Sequence, residues 1–170
     1  MLIYALKQVA EPRQRYVIDG PAAAIKLLKP ALLEMTRECF MILSLDTRGK
    51  TVGPQLVSMG SLSASIVHPR EVFIEALKAH AAAIILGHNH PGGSAEPSPE
   101  DLAVTRKLVS VGEILGIPIL DHIIVAREGC VSFSDRGLLT TPHQQTYIRH
   151  EGPLEALGAL SRVADGSSDT

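Results

Sequence analysis

The residues best placed to do chemistry lie in one short segment: His88-Asn89-His90-Pro91-Gly92-Gly93-Ser94-Ala95-Glu96-Pro97-Ser98-Pro99-Glu100-Asp101. His88 and His90 close the apolar run Ala83-Ile84-Ile85-Leu86. In an extended strand, residues i and i+2 point to the same side, so the two imidazoles can converge on one ion. Asp101 returns a carboxylate from the start of the next helix. Two nitrogens and one oxygen leave a fourth tetrahedral position open for water. That is the arrangement of a catalytic zinc site rather than of a sealed structural one.

Each of these residues also has an ordinary structural reading. Ser98-Pro99-Glu100-Asp101 has serine at an N-cap, proline at the first helical position and an acid at the third, a capping-box arrangement. The two readings are compatible, because a helix N-terminus fixes the backbone and favours an anionic side chain. One histidine at a strand end is usually a hydrogen-bonded core residue. Two, followed by a Pro-Gly-Gly loop and an acid, favour a metal. The string His-Asn-His lends no support to an HNH nuclease, whose residues are spread over a hairpin and a helix.

The elements that must position these groups follow from periodicity and turn chemistry. Pro21 to Leu33 reads as a helix that Pro30 ends or kinks. Glu38 to Leu45 reads as a strand and Asp46 to Lys50 as a turn. Strands through Thr51 to Met59 and Ser61 to Val67 complete an antiparallel meander. Pro69 opens a helix with Val72, Phe73, Ala76, Leu77 and His80 at helical spacing. A buried strand at Ala83 to His88 leads into the histidine loop. A helix from Ser98 to about Leu115 and strands at Pro118 to Val125 and Cys130 to Phe133 follow. Strands arranged first as a meander and later separated by helices predict an α+β class, a mixed sheet sandwiched by helices. Residues 1–33 read as an N-terminal extension with one helix, 34–139 as the core domain, and 140–170 as a partly flexible tail with one short amphipathic helix over Leu154 to Val163.

Bulk properties narrow the function. The 170-residue chain suits one domain, and its formal net charge of −2 is not the footprint of an autonomous nucleic-acid binder. No apolar stretch is long enough to span a bilayer, and the N-terminus has too short an apolar core for a secretory signal. A cytoplasmic protein is expected, with Cys39 and Cys130 as buried free thiols rather than a disulfide.

The pattern His-x-His, seven residues, Ser, two residues, Asp resembles the JAMM (MPN-plus, or JAB) metalloprotease motif. Its surroundings look like the RadC family within that group: Val67-His68-Pro69-Arg70-Glu71-Val72-Phe73, then His88-Asn89-His90-Pro91, then Asp121-His122-Ile123-Ile124-Val125. The resemblance runs from roughly Glu34 to Leu139. It implies a JAB/MPN fold, with a cytidine-deaminase-like three-layer α/β/α arrangement. It further implies one zinc ion on His88, His90 and Asp101, with Ser98 stabilising a tetrahedral intermediate. A catalytic glutamate is expected on or just before the first core strand. Glu38 matches that position, with Glu34 and Glu71 as rivals. Two departures stand out. Gly92 replaces a serine usual in RadC-type sequences, and only residues 1–33 precede the core, where longer members carry a helix-hairpin-helix region.

The implied chemistry is hydrolysis of a peptide or isopeptide bond. Zinc brings the pKa of its water to roughly 7, and Glu38 moves the proton to the leaving amine. The metal and Ser98 polarise the carbonyl. The partner would be a peptide or protein substrate, with no membrane and no direct DNA contact. The family name associates it with DNA repair, which no residue here supports independently. Two other classes remain open: a non-catalytic MPN-like scaffold or accessory protein in DNA metabolism, and a metal-dependent nuclease. The nuclease is disfavoured by the neutral charge and the lack of a basic or aromatic groove. Asn89 is expected to face away from the metal and brace the loop. Asp121 and His122 interrupt an apolar strand, either to orient a ligand imidazole or as a satisfied polar pair.

Overall fold

Side-chain alternation along two neighbouring strands decides which helix covers which face of the sheet. The computed structural model describes residues 14–60 and 67–139. In order, these form β1 (Tyr16–Val17), α1 (Pro21–Leu33), β2 (Cys39–Leu45), β3 (Lys50–Thr51), β4 (Pro54–Met59), α2 (Pro69–Lys78), β5 (Ala83–His90), α3 (Pro99–Leu115), β6 (Ile119–Ala126) and β7 (Gly129–Ser132). The main sheet has the order β4-β2-β5-β6-β7, and β1 pairs with β3 in a separate two-stranded ribbon. β2 runs antiparallel to both β4 and β5, and β7 is antiparallel to β6. Among the described strands only β5 and β6 are parallel, joined by the α3 crossover. This is the expected α+β class.

Phe40 and Ile42 of β2 and Ile84 and Leu86 of β5 point to one face. There they pack with Val72, Phe73 and Ala76 of α2 and Leu108 and Val109 of α3. Cys39, Met41 and Leu43 of β2 and Ile85 of β5 point to the other face, under Ala24, Leu28 and Leu32 of α1. The result is three layers: α1, the sheet, then α2 with α3. Gly87 on β5 lets α1 come close, since a Cβ there would lie 2.9 Å from both Leu28 methyls.

Several local expectations need correction. Pro30 does not end the first helix, which runs on to Leu33. Buried Ala24, Leu28 and Leu32 hold it from one side at i, i+4 spacing, and that packing outweighs the lost backbone bond. The strand expected through Thr51 to Met59 is broken at Gly53, where φ is +117°. Lys50–Thr51 pairs with β1, and Pro54–Met59 with β2. β5 continues two residues beyond His88. Cys130 is only half-buried, whereas Cys39 is buried, and both thiols are free. Of the strand expected at Ser61 to Val67, residues 61–66 lie outside the described residues, as do the Leu154 to Val163 helix and the tail from Thr140. Among the described residues no helix is long and apolar enough to cross a membrane.

Candidate metal centre

His88 and His90 lie at the C-terminal end of β5, on the face covered by α2 and α3. Asp101 sits in the first turn of α3, whose N-terminus meets that strand end. The His88 Nε2 and His90 Nε2 atoms are 2.9 Å apart. Asp101 places Oδ1 3.1 Å from His88 Nε2 and Oδ2 3.3 Å from His90 Nε2. Donor atoms bound tetrahedrally at zinc distances of about 2.0–2.1 Å are separated by roughly 3.4 Å. The three atoms therefore stand close to the spacing that one ion imposes. His88 and Asp101 are buried and His90 is partly exposed, so the cluster opens toward solvent on the His90 side. The His90 Nδ1 lies 3.0 Å from the Ser94 carbonyl oxygen. A carbonyl only accepts, so His90 donates from Nδ1 and, when neutral, offers a bare Nε2 to the cluster.

Electrostatics agree with a carboxylate facing imidazoles. Burial alone would raise the Asp101 carboxyl, but the His88 and His90 rings that face it and the Ser98 hydroxyl hold it far below the usual range. Burial pushes the His88 pKa down, against the pull of Asp101. For the more open His90, the hydrogen bond to Asp101 dominates and raises it. Burial also drives His122 well below its ordinary value.

Ser98 is the N-cap of α3 and completes the expected capping box. Its Oγ accepts from the Asp101 N–H at 3.1 Å, and its own N–H donates to Asp101 Oδ2 at 2.8 Å. Its hydroxyl also donates to Asp101 Oδ2 at 2.6 Å. Capping and orientation of the candidate ligand are thus one set of contacts.

The structure separates Asp121 from His122. The His122 Nε2 lies 2.8 Å from His88 Nδ1, and its Nδ1 lies 2.6 Å from the Thr105 hydroxyl. Asp121 instead accepts from the Ser132 hydroxyl and from the His122 and Ser134 amides. Burial pushes its pKa up to about 6 despite those donors. Thr105 was not singled out from the sequence. Its signal was position, four residues after Asp101 and hence on the same helical face.

Of the three candidate glutamates, Glu38 is the one that strand register and charge connect to the cluster. Phe40 pairs with His88 across β2 and β5, and Glu38, two residues earlier, falls on the same side. Glu38 is half-buried, and its charge raises the pKa of both His88 and His90. Glu71 is exposed in the first turn of α2, bonded to Arg70, and Glu34 is the exposed C-cap of α1. Asn89, between the histidines, faces the opposite side, as expected. It braces the chain around Glu38 rather than its own loop. Its Oδ1 accepts from the Cys39 amide at 2.7 Å, and its Nδ2 donates to the Arg37 carbonyl at 3.0 Å and the Met35 carbonyl at 3.4 Å. His68 caps α2 through its backbone, and His80 is exposed with φ +52°. Neither joins the cluster. His143 and His150 lie outside the described residues.

Comparison with known proteins places the chain in a family. A family model described as a RadC-like JAB domain matches residues 18–138. A UPF0758 protein of Methanosarcina mazei is 47% identical over 131 residues, covering 77% of this chain and 56% of the relative. A UPF0758 protein of Symbiobacterium thermophilum is 42% identical over 135 residues, covering 79% and 58%. One from Desulfitobacterium hafniense is 43% identical over 130 residues, covering 76% and 57%. The chain spans somewhat more than half the length of these relatives.

Proposed function

We propose, taking as premise that the chain belongs to the RadC-like JAB domain family, that it is a zinc-dependent hydrolase of the JAMM type acting on a peptide or isopeptide bond. The observation that carries this reading is the convergence of His88 Nε2, His90 Nε2 and the Asp101 carboxylate, with one side left open. Two imidazoles and one carboxylate are a donor set that suits zinc and leaves room for a reacting group. When bound, zinc supplies Lewis acidity and makes water acidic enough to act as a nucleophile near neutral pH.

The chain's own groups account for the remaining steps. Asp101, kept ionised, holds its carboxylate against both rings. The Glu38 carboxylate takes the proton of the attacking water and returns it to the leaving nitrogen. The Ser98 hydroxyl, now directed at Asp101 Oδ2, turns toward the developing oxyanion.

Metal analysis combined with a panel of peptide, isopeptide and simple amide substrates tests this reading. One zinc per chain is expected in the native protein, and none in His88→Ala. Glu38→Gln keeps its zinc and loses turnover by about 10²- to 10⁴-fold. A native protein that takes up no metal, with properties unchanged in His88→Ala, sinks the proposal. Turnover that survives Glu38→Gln removes Glu38 as the base.

A further inference from the structure

Thr105 follows Asp101 by one turn of α3, so both side chains leave the same helical face. The Thr105 hydroxyl is 2.6 Å from the Asp101 carbonyl oxygen and 2.6 Å from His122 Nδ1. A threonine hydroxyl has one proton to give, and a carbonyl oxygen has none. If that proton pointed at His122, two bare oxygens would face each other at 2.6 Å in a buried site. The hydroxyl therefore donates to the carbonyl and accepts from His122, so His122 Nδ1 carries a hydrogen.

His122 is completely buried, and among the described residues its ring bonds to a hydroxyl and another imidazole, with no carboxylate in contact to balance a charge. As a neutral ring with Nδ1 protonated, it presents a bare Nε2 to His88 Nδ1 at 2.8 Å. His88 must donate across that contact from Nδ1. Its other nitrogen, Nε2, is then the one facing His90 and Asp101.

We propose that Thr105 and His122 are positioning residues that fix the tautomer of His88, so that its Nε2 lone pair faces the metal site. The relay runs from His88 through His122 and Thr105 to the backbone carbonyl of Asp101, itself a candidate ligand. Its consequence for coordination rests on the zinc reading above. Ligand histidines usually direct their second nitrogen at a carboxylate, carbonyl or water. Here another imidazole takes that place, packed against Phe40 and Phe133, and the Thr105 hydroxyl decides which of its nitrogens carries the hydrogen.

Long-range ¹H–¹⁵N correlation spectra of the metal-free protein, labelled at histidine, test the relay directly. Both His88 and His122 are expected to show a protonated Nδ1 and an unprotonated Nε2. Thr105→Val keeps the shape of the side chain and removes the acceptor. It is expected to mix the tautomers of both rings and weaken zinc binding, measured against a chromophoric chelator, by about 10- to 100-fold. Thr105→Ser restores both properties. A native His88 protonated at Nε2 overturns the proposal, as does Thr105→Val with native zinc affinity. If Thr105→Val does not fold, the native spectrum alone decides. Expected tautomers in a protein that takes up no zinc leave the relay standing and overturn the metal reading.

Discussion

Ser98 combines a structural and a chemical task that two substitutions separate. Ser98→Ala removes the N-cap of α3 and is expected to cost about 1 kcal/mol of stability, whereas Ser98→Gly costs only a few tenths. Both remove the hydroxyl that donates to Asp101 Oδ2. If the hydroxyl also serves the oxyanion, both variants stay about 10²-fold or more down in kcat at saturating zinc. Thermal melts with zinc-saturated rate measurements distinguish the two effects, and recovery of kcat at high zinc would limit Ser98 to holding Asp101. A second prediction concerns Asp121, whose pKa is raised to about 6, burial being the first cause. Its folded state holds the proton more tightly than the unfolded chain, so its contribution to stability is full below about pH 4 and is lost as pH rises through about 6. Asp121→Asn mimics the protonated form, and its amide either accepts from the Ser132 hydroxyl, as Asp121 does, or donates to that oxygen. Relative to this variant, the native protein is expected to lose on the order of 2–3 kcal/mol between pH 4 and 7. Denaturant melts across that range that run parallel for the two proteins would contradict it.

The β5 strand shows most clearly what the sequence made legible and what it did not. A period of two is enough to place His88 and His90 on one face and Asn89 on the other, and Ser98-Pro99 announces the start of α3 with Asp101 in its first turn. Those local rules made the metal cluster readable. The contact of His122 with His88 depends on the parallel register of β5 and β6, a long-range fact that no local spacing encodes. The splitting of Asp121 from His122, by contrast, follows from the same period of two, and only their partners depend on register. The persistence of α1 past Pro30 likewise reflects burial against the sheet, which overrides the residue's own preference. Asn89 had a readable direction but no readable partner, since its bonds cross to residues 35–39. Asn89→Ala strips partners from the Cys39 amide and two carbonyls, and a buried group left unsatisfied costs about 1–3 kcal/mol. The Cys39 amide should exchange its hydrogen faster while zinc content stays native. Unchanged exchange at Cys39, or loss of zinc together with the clamp, would show that the two faces of β5 are not independent in this way.

At the scale of the whole molecule, most of the buried interior is apolar and lies outside the cluster. Among the described residues three apolar clusters, one under α1, one under α2 and α3 and one around Ala95, Ile124 and Phe133, make up the core, and the candidate ligands lie at its edge, with His88 stacked on Phe40. The metal-free protein should therefore fold and melt cooperatively, unlike small zinc domains in which binding free energy supplies the folding free energy. An ion that binds only the folded state still stabilises it by mass action. At free zinc about a hundredfold above Kd the gain is about 2.7 kcal/mol, enough to raise Tm by roughly 10 °C in a domain of this size. The shift should grow with the logarithm of zinc concentration, vanish with a chelator, and be absent in His88→Ala. Calorimetry of chelated and zinc-loaded protein measures it. Loss of the cooperative transition on chelation would instead make the ion part of the scaffold, and a centre that the fold cannot do without is a poor fit to one held open for reaction. The expected pattern, a folded metal-free protein with a Tm that climbs with zinc, follows from a site built at the end of β5 and the start of α3, on elements already anchored elsewhere.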